Sequence, residues 1–413
     1  MPKKLALFGG QPIQQTPLNP YVSIGEEEQD AVSRVMKKGI FSGFVAADDE
    51  RFYGGEIVKD FEEIFAKSHL ADYGVSFNSA TSGLVAAIGS LDIGLGDEVI
   101  VPAQTMSASA ASIFTYNAVP VFADVETKTY GMCPESLRSK ISEKTKAVMI
   151  VHLYGHPARM KEIMEIAKEN NLKVIEDCSQ APLAIYENQY VGTFGDIGIF
   201  SFNVHKHVNC GEGGIAITNN IDLKEKMSLI RNHGEVKAET KRLSNSIGWN
   251  FRLTEIQAAI AYEQTKKMNM LVNQKRELAR QLSRLIAKFD WVEGAFESKN
   301  CKSSFYDYPM KFNFKKLGIN KKQFMDITSA ENLPITESYK PIYYQTIYQE
   351  KTVFGNHGFP FTESLSKQNS DSYVKGSCPN AEQMYEEECL TFEICSYDVL
   401  EEHIVKIAGM FEK

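Results

Sequence analysis

The stretch DEVIVPAQTMSASAASIFTYNAVPVFADV, residues 97–125, decides the fold class. A short apolar run, EVIVP, precedes a helix-length segment rich in small residues, and a second apolar run, VPVFA, follows it. Near-continuous apolar strands joined by helices are typical of parallel strands buried on both faces. The stretch therefore predicts a strand–helix–strand unit of an α/β sheet.

The same alternation extends on both sides of this unit, from YGVSFN near residue 73 to LKVIEDC, and the runs GDIGIFSF and GGIAITN follow. We expect an α/β fold with a large, mostly parallel sheet flanked by helices. A charged amphipathic stretch over residues 254–289 predicts one or two long helices leading out of this domain. The predicted boundary lies near residue 265, with an N-terminal arm and large domain over 1–265 and a smaller α+β domain over 266–413.

Composition excludes several classes of function. The 413 residues carry a formal net charge of −8 with no long basic run, which argues against a nucleic-acid partner. The start, MPKKLALFGG, has too few apolar residues for a signal peptide, and no run approaches the roughly 20 apolar residues of a membrane span. Seven cysteines are scattered without a CxxC pair, as expected for reduced thiols rather than for disulfides or a zinc site. We expect a cytoplasmic chain without membrane or metal.

Three candidate sites follow strands of the predicted sheet, where ligands of α/β proteins bind. In NSATSGL the N–H groups near Ala80 and Thr81 suit a phosphate, although an ordinary helix cap explains them too. Asp177 ends the apolar run VIED and needs a cation or a strong donor if it is buried. Lys206 lies before the glycines of GEGG, in a loop where most lysines are merely solvated.

The three sites together indicate a cofactor. Pyridoxal 5′-phosphate (PLP) needs a lysine that forms a Schiff base, a carboxylate at the pyridine nitrogen, and N–H and hydroxyl groups around the phosphate. Lys206, Asp177 and the segment around Thr81 supply this set, so we predict a PLP site.

Motifs across most of the chain also resemble a known family. In order and spacing they are similar to those of the PLP-dependent sugar aminotransferases of the DegT/DnrJ/StrS type. The motifs are NSATSGL, GDEVIVPAQTMSAS, PVFADV, TKAVMIVHLYGHPARM, VIEDCSQAPLA, VGTFGDIGIFSF, HKHVNCGEGGIAITNN, IGWNFRLTEIQAAIAY and CPNAEQMYEEECLTF.

The resemblance implies a fold type I aminotransferase that forms a homodimer with shared active sites. It makes Lys206 the Schiff-base lysine and proton carrier, and Asp177 the partner of the pyridinium nitrogen. Gln180 would face the phenolic oxygen of the cofactor. The phosphate would be held by the remaining residues, Ala80, Thr81, Ser201 and, from the neighbouring subunit, Asn250.

Two positions depart from the family pattern. Ala80 stands where relatives usually have glycine, and Met106 where they usually place an aromatic ring stacked on the pyridine. Of the histidines that flank the lysine, we expect one of His205 and His207 to pack the loop and the other to be exposed. We expect Glu212 to fix the loop rather than to catalyse.

The implied reaction is a ping-pong transamination from L-glutamate or L-glutamine to a keto-sugar, most simply a nucleotide-linked keto-deoxysugar. A keto-cyclitol or a related antibiotic precursor is the alternative acceptor. Dehydratases of the family have histidine in place of the lysine, so a dehydratase is less favoured here. A non-catalytic regulator is also less favoured, because it would not need the lysine. Polar residues over 351–375 predict a long surface loop. We expect that loop to shape the acceptor pocket together with the tyrosines Tyr339, Tyr343 and Tyr344.

Overall fold

The computed structural model describes residues 4–47, 49–235, 247–355, 357–364 and 366–413. Its strands are β1 Tyr73–Phe77, β2 Glu98–Pro102, β3 Val119–Ala123, β4 Thr145–Val151, β5 Lys173–Asp177, β6 Ile185–Tyr186, β7 Gln189–Tyr190, β8 Ile197–Ser201, β9 Gly214–Thr218, β10 Val292–Glu293, β11 Cys301–Lys302, β12 Tyr308–Phe312, β13 Ile335–Glu337 and β14 Cys389–Phe392. Its α-helices are α1 Glu26–Lys38, α2 Glu56–Ser68, α3 Ala80–Ser90, α4 Ser107–Phe114, α5 Pro134–Lys140, α6 Met160–Glu169, α7 Ile221–Arg231, α8 Glu255–Ile286, α9 Phe314–Leu317, α10 Lys321–Ala330, α11 Thr346–Gln349, α12 Phe361–Ser364, α13 Pro379–Gln383 and α14 Glu401–Phe411.

The large sheet has the strand order β1-β9-β8-β5-β4-β2-β3. All its neighbouring pairs are parallel except those of β9, which runs antiparallel to β1 and β8. Strands β2, β3 and β9 are buried along their whole length, which is why their sequences are almost uninterruptedly apolar. The predicted α/β fold with a mostly parallel sheet is confirmed.

The register of this sheet brings the strand ends of the site together. Phe77 and Ser201, the last residues of β1 and β8, both pair with Gly214. Asp177 ends β5 opposite Ile199 of β8 and Val151 of β4. The loops that follow these strands therefore leave from one edge of the sheet, as expected for parallel strands.

A smaller antiparallel sheet, with the order β10-β12-β14-β13, forms in the C-terminal part. Its core includes Tyr308, Met310, Leu390 and Phe392, together with apolar residues of α8, α10 and α14. Strands β11, β6 and β7 form a third, short sheet. Across the described ranges, no helix combines the length and apolarity that a bilayer crossing requires.

Helix α8 runs through residue 265 without interruption, after a capping box in which Thr254 and Gln257 bond to each other's backbone N–H groups. The chain later returns to the large sheet, where the side chains of Tyr343, Tyr348 and Tyr373 join its core. The predicted division at residue 265 stays a prediction, since the C-terminal part contributes to both cores.

The structure describes residues 351–375 except 356 and 365. Most of the described residues are exposed or half-buried, as expected of a surface segment, but Phe361, Asn369 and Tyr373 are buried. The segment packs at the edge of the large sheet opposite the strand ends of the site. There the Ser366 N–H and Asn369 Nδ2 donate to the carboxylate of Glu98, the first residue of β2, over 2.6 and 2.8 Å. Tyr373 donates its hydroxyl to the carbonyl of Pro120 in β3 and is buried. These contacts of the described residues support the sheet, and the expected role of the segment in the acceptor pocket stays a prediction.

Candidate active site

Lys206 lies in the loop that joins β8 to β9, and Asn203 organises that loop. The Asn203 carbonyl accepts from the Lys206 N–H over 2.9 Å, and its Oδ1 accepts from the His205 N–H over 3.2 Å. Asn203 Nδ2 donates to Glu212 Oε1 over 3.0 Å. The predicted role of Glu212 in fixing the loop is confirmed. The expectation for the two histidines is also confirmed. His205 is exposed, and buried His207 bonds through Nε2 to the Ser304 carbonyl over 2.8 Å.

The amine of Lys206 rests on an aromatic face. Its Nζ lies 3.9 Å from the centroid of the Tyr306 ring, a cation–π distance. Burial lowers the pKa of Lys206, while the charges of Asp307 and Asp177 oppose that shift. A lowered pKa increases the share of neutral amine, the form that attacks an aldehyde and accepts a proton from carbon.

Asp177 is buried at the end of β5 and is held from two sides. Its Oδ2 accepts from the Ser109 hydroxyl over 2.7 Å, and its Oδ1 accepts from the Ser179 N–H over 3.1 Å. Two donors on separate oxygens fix the plane of the carboxylate and leave further lone pairs for a ligand. Ser109 was not predicted; its only sequence signal is a small polar residue in the first turn of α4.

The neighbouring residue, Glu176, faces away from Asp177 and has a structural role. It accepts backbone N–H groups of Gly192, Phe194 and Gly195 over 2.7 to 2.8 Å. It also bonds to His152 Nε2 over 3.0 Å. Because His152 Nδ1 accepts from the Ala158 N–H, the proton of this ring is on Nε2.

His152, Glu176 and Cys178 each have a possible metal-ligand atom within 4.8 Å of those of the other two. Both histidine nitrogens and both glutamate oxygens are already bonded, however, and burial raises the pKa of the Cys178 thiol well above its usual range. This group therefore lacks free ligand atoms for a metal ion.

Gln180 and Gln104 fix Tyr339 beside Asp177. Gln180 Nε2 lies 3.0 Å from the Tyr339 hydroxyl, and Gln104 Nε2 donates to the Tyr339 carbonyl over 2.7 Å. Gln180 Oε1 accepts from the Tyr154 N–H over 2.7 Å. Of the three tyrosines expected at the pocket, Tyr339 thus lies at the site. Tyr343 is buried in the core of the large sheet, and the Tyr344 hydroxyl donates to Glu386.

The start of α3 forms an anion-binding surface. Ser79 caps the helix by accepting from the Ser82 N–H over 3.1 Å, and the N–H groups of Ala80 and Thr81 begin the helix without intrahelical acceptors. A Cβ at Gly214 would lie 2.4 Å from the Ala80 nitrogen, so glycine allows β9 to pass directly against this helix start. Ser201 pairs with Gly214, so the end of β8 lies near this helix start, and its Oγ accepts from the Asn203 N–H over 3.2 Å.

Met106 and Asn250 are both exposed. Met106 is 50 % exposed and precedes α4, where its Sδ accepts from the Ala108 N–H at 3.0 Å. Asn250 Oδ1 accepts from Arg252 Nε over 2.9 Å, and the Asn250 carbonyl lies 3.4 Å from Asn78 Nδ2, just before α3. The two side chains border the strand-end surface instead of lying inside it.

These residues fit PLP. Lys206 follows β8, Asp177 ends the adjoining strand β5, and α3 follows β1, which β9 separates from β8. The lysine with its lowered pKa suits the aldehyde of the cofactor, the carboxylate held by two donors suits the pyridine nitrogen, and the helix start suits the phosphate.

The comparison with protein families decides the identity. The model of the DegT/DnrJ/EryC1/StrS aminotransferase family matches residues 23–371. This chain belongs to that family. The resemblance noted in the sequence and the expectation of an aminotransferase are confirmed.

Relatives within the DegT/DnrJ/EryC1/StrS family act on different compounds, by their names. The chain is 34 % identical to GDP-perosamine synthase of Escherichia coli O157:H7 over 72 % of this chain and 80 % of that one. It is 30 % identical to L-glutamine:2-deoxy-scyllo-inosose aminotransferase of Streptoalloteichus tenebrarius over 84 % of each. The X-ray structure of an aminotransferase from Psychrobacter cryohalolentis superposes with a TM-score of 0.82 at 27 % identity, over 96 % of this chain and 98 % of that one. This likeness confirms the expected fold type I architecture.

Proposed function

We propose that the chain is a PLP-dependent aminotransferase that moves an amino group from L-glutamate or L-glutamine to a keto-sugar. The single observation that carries the proposal is that Lys206 and Asp177 lie at adjoining strand ends in a member of this family. The Lys206 amine lies over the Tyr306 ring, and the Asp177 carboxylate accepts a hydrogen bond from Ser109. A nucleotide-linked keto-deoxysugar is the first candidate acceptor, by analogy with the relative named GDP-perosamine synthase.

Each residue has a role in this proposal. Bound PLP supplies an electron sink that stabilises negative charge at the carbon next to the transferred nitrogen. Lys206 would hold the cofactor through Nζ and, when not bonded to it, would accept and return a proton at that atom. Asp177, oriented by Ser109 and Ser179, keeps the pyridine nitrogen protonated. Ala80, Thr81 and Ser201 hold the phosphate, Gln180 faces the phenolic oxygen, and Met106 covers the ring.

A homodimer with shared sites is part of the proposal. Val204, two residues before Lys206, is 49 % exposed, and Trp249, next to Asn250, is 41 % exposed. Large apolar side chains exposed next to a site suit contact with a second subunit. In that arrangement Asn250 reaches the phosphate held by the other subunit.

Subunit complementation tests the shared site. Lys206→Ala and Asn250→Ala chains, each weakly active or inactive alone, are mixed and allowed to exchange. Partial recovery of activity is expected, because one of the two sites in a mixed dimer then has both residues intact. Absence of recovery in a dimer that demonstrably exchanges subunits would place Asn250 in its own chain's site.

A keto-cyclitol is the second candidate acceptor, because the cyclitol aminotransferase relative covers a larger share of the chain. To decide, PLP-loaded protein is treated with L-glutamate or L-glutamine while its visible absorption is followed. Loss of the band of lysine-bound cofactor is expected with one of these donors. Nucleotide-linked keto-sugars and keto-cyclitols are then added in turn, and return of the band identifies the acceptor class.

The same preparation tests the alternatives. If neither of these donors changes the spectrum, other amino donors are tried, and a spectrum unchanged by any amino donor would favour a non-catalytic role. A product that has lost water instead of gaining nitrogen would indicate a dehydratase. Borohydride reduction followed by peptide mapping is expected to place the cofactor on Lys206, and a label on another lysine would overturn the assignment.

A further inference from the structure

A short segment before α1, residues 20–24, lies against the loop that carries Lys206, and we call it the strap. It starts in an extended form, since Pro20 makes an antiparallel bridge with Tyr397. An extended chain presents alternate residues to opposite sides. Tyr21 and Ser23 are half-buried, whereas Val22 and Ile24 are exposed. The strap therefore turns two polar side chains towards the protein.

Both of these side chains bond to the loop just after Lys206. The Tyr21 hydroxyl donates to the His207 carbonyl over 3.2 Å. Ser23 Oγ accepts from Asn209 Nδ2 over 3.2 Å. His207 and Asn209 are the first and third residues after the lysine, and both are buried. The strap thus holds the loop on the C-terminal side of Lys206.

Gln264 of α8 fixes the bond made by Ser23. Its Oε1 accepts from the Ser23 hydroxyl over 2.7 Å and from the Asn209 N–H over 3.3 Å. Its Nε2 donates to the Ser23 carbonyl over 3.0 Å, and the residue is fully buried. Because the hydroxyl proton of Ser23 goes to Gln264, a lone pair of its oxygen is left for Asn209.

Tyr21 also reaches the second support of Lys206. The Tyr21 N–H donates to the Ser396 carbonyl over 3.0 Å, and the preceding residue, Cys395, donates its N–H to the Tyr306 carbonyl over 3.3 Å. The Tyr306 ring lies under the Lys206 amine. Tyr21 therefore bonds both to the loop that carries the lysine and to the segment that holds the ring beneath its amine.

The ring of Tyr21 is fixed as well. Lys275 Nζ lies 4.1 Å from its centroid, a cation–π distance, and donates to the carbonyls of Ile394 and Tyr397 over 2.8 and 3.2 Å. Burial raises the pKa of Tyr21, so its hydroxyl keeps the proton that it donates. The N–H, the ring and the hydroxyl of Tyr21 are all engaged, which leaves the side chain one position.

We propose that Tyr21 is a positioning residue for Lys206 and that Ser23 supports it in this role. The strap holds the loop of the lysine in register with the Tyr306 ring, so that Nζ is presented in one orientation. This proposal rests on the proposed function, in which Lys206 bonds to PLP. When the neutral amine adds to the aldehyde carbon, a C=N bond forms and water leaves. The orientation of Nζ therefore governs how fast that bond forms, whereas the rest of the cofactor is bound by other residues.

Two ligands separate positioning from general damage. PLP is added to the full-length chain freed of cofactor, and the growth of the absorption band of lysine-bound cofactor is followed. Tyr21→Phe keeps the ring beside Lys275 and loses the bond to His207, so we expect the band to form about tenfold more slowly. Pyridoxamine 5′-phosphate carries an amine in place of the aldehyde and cannot bond to Lys206. Its dissociation constant, measured by fluorescence titration, should stay within about twofold of the wild-type value.

Tyr373→Phe is the matched control. It also removes a hydroxyl that donates to a backbone carbonyl, that of Pro120, at the opposite edge of the large sheet. We expect this variant to match the wild type in both measurements.

A wild-type rate of band formation in Tyr21→Phe overturns the proposal. An equal loss of rate and of pyridoxamine 5′-phosphate affinity also overturns it, because general damage then explains both. If Tyr21→Phe fails to fold, Ser23→Ala decides: band formation about threefold slower with unchanged pyridoxamine 5′-phosphate affinity supports the proposal, and a wild-type rate contradicts it. A wild-type chain that forms no lysine-bound band overturns the proposed function together with this proposal. Transamination by the wild type with an unaffected rate in Tyr21→Phe overturns this proposal alone.

Discussion

Ser109 donates a hydrogen bond of 2.7 Å to Asp177 Oδ2 across the gap between α4 and β5. The bond joins two residues 68 positions apart and orients the carboxylate that we assign to the pyridine nitrogen. It also gives one oxygen of this buried carboxylate a hydrogen-bond donor, as buried polar atoms require.

Ser109→Ala should therefore weaken cofactor binding. A hydrogen bond to a charged group contributes about 1.5–3 kcal/mol, so we expect the dissociation constant of PLP to rise by roughly 10- to 100-fold. Fluorescence or absorbance titration of the cofactor-free protein measures it. The control is Ser112→Ala, which removes a hydroxyl in the same helix that bonds to the Ser109 carbonyl and not to Asp177. Equal affinities in both variants would contradict the role of Ser109.

Glu176→Gln should destabilise the fold. The three N–H groups that the carboxylate accepts would meet an amide that offers one acceptor and two donors. Breaking such a buried network costs about 3–5 kcal/mol of unfolding free energy. Urea denaturation measures this loss, and Glu169→Gln, on an exposed ion pair with Arg138, is expected to cost about 1 kcal/mol or less.

Gly214→Ala should damage the phosphate surface. The added Cβ would lie 2.4 Å from the Ala80 nitrogen, so β9 and the start of α3 must move apart. We expect PLP affinity to fall by about tenfold or more, because the backbone N–H groups at the start of α3 would no longer point at the phosphate. Gly94→Ala is the control, because its Cβ meets nothing nearer than the Tyr116 carbonyl at 3.9 Å. If Gly214→Ala binds PLP with wild-type affinity, the close approach is unimportant for the site.

Met106→Phe should strengthen cofactor binding. The exposed thioether of Met106 is engaged only weakly at the start of α4, and a ring at this position can stack on a pyridine. Stacking contributes about 0.5–1.5 kcal/mol, which corresponds to a roughly two- to tenfold lower dissociation constant. Met106→Leu keeps an apolar side chain without a ring and should show no gain; a gain in Met106→Leu would assign the effect to apolarity alone.

Stability should depend on pH through Asp307. Burial raises the pKa of this acid to about 8, whereas an unfolded aspartate titrates near about 3.9. Between these values the folded protein binds a proton that the unfolded chain lacks, so this group makes the unfolding free energy fall as pH rises, by up to about 1.4 kcal/mol per pH unit. Asp307→Asn removes that contribution. Urea denaturation from about pH 5 to about pH 8 should show a shallower fall in the variant, and parallel slopes would contradict the raised pKa.

The sequence predicted what depends on local pattern. Apolar runs with intervening helices indicate the parallel sheet, and a strand-end acid, a lysine and a helix start follow from the same pattern because parallel strands align their carboxyl ends. Ser109 and Tyr306 were missed, since their roles arise from contacts between segments far apart in the chain. The packing of Phe361 and Tyr373 into the core of the large sheet was not foreseen, because the two residues are too widely spaced among polar residues to show a buried periodicity.

The return of the chain to the large sheet also determines how the molecule can be shortened. After α8 the chain builds part of the small sheet, comes back to the large core at Ile342, and leaves again for β14, which lies between β12 and β13. A stop codon near residue 340 would thus remove β14, an inner strand of the small sheet. It would also remove the apolar residues that cover the large sheet. We therefore expect neither half of the chain to fold alone when it is cut there.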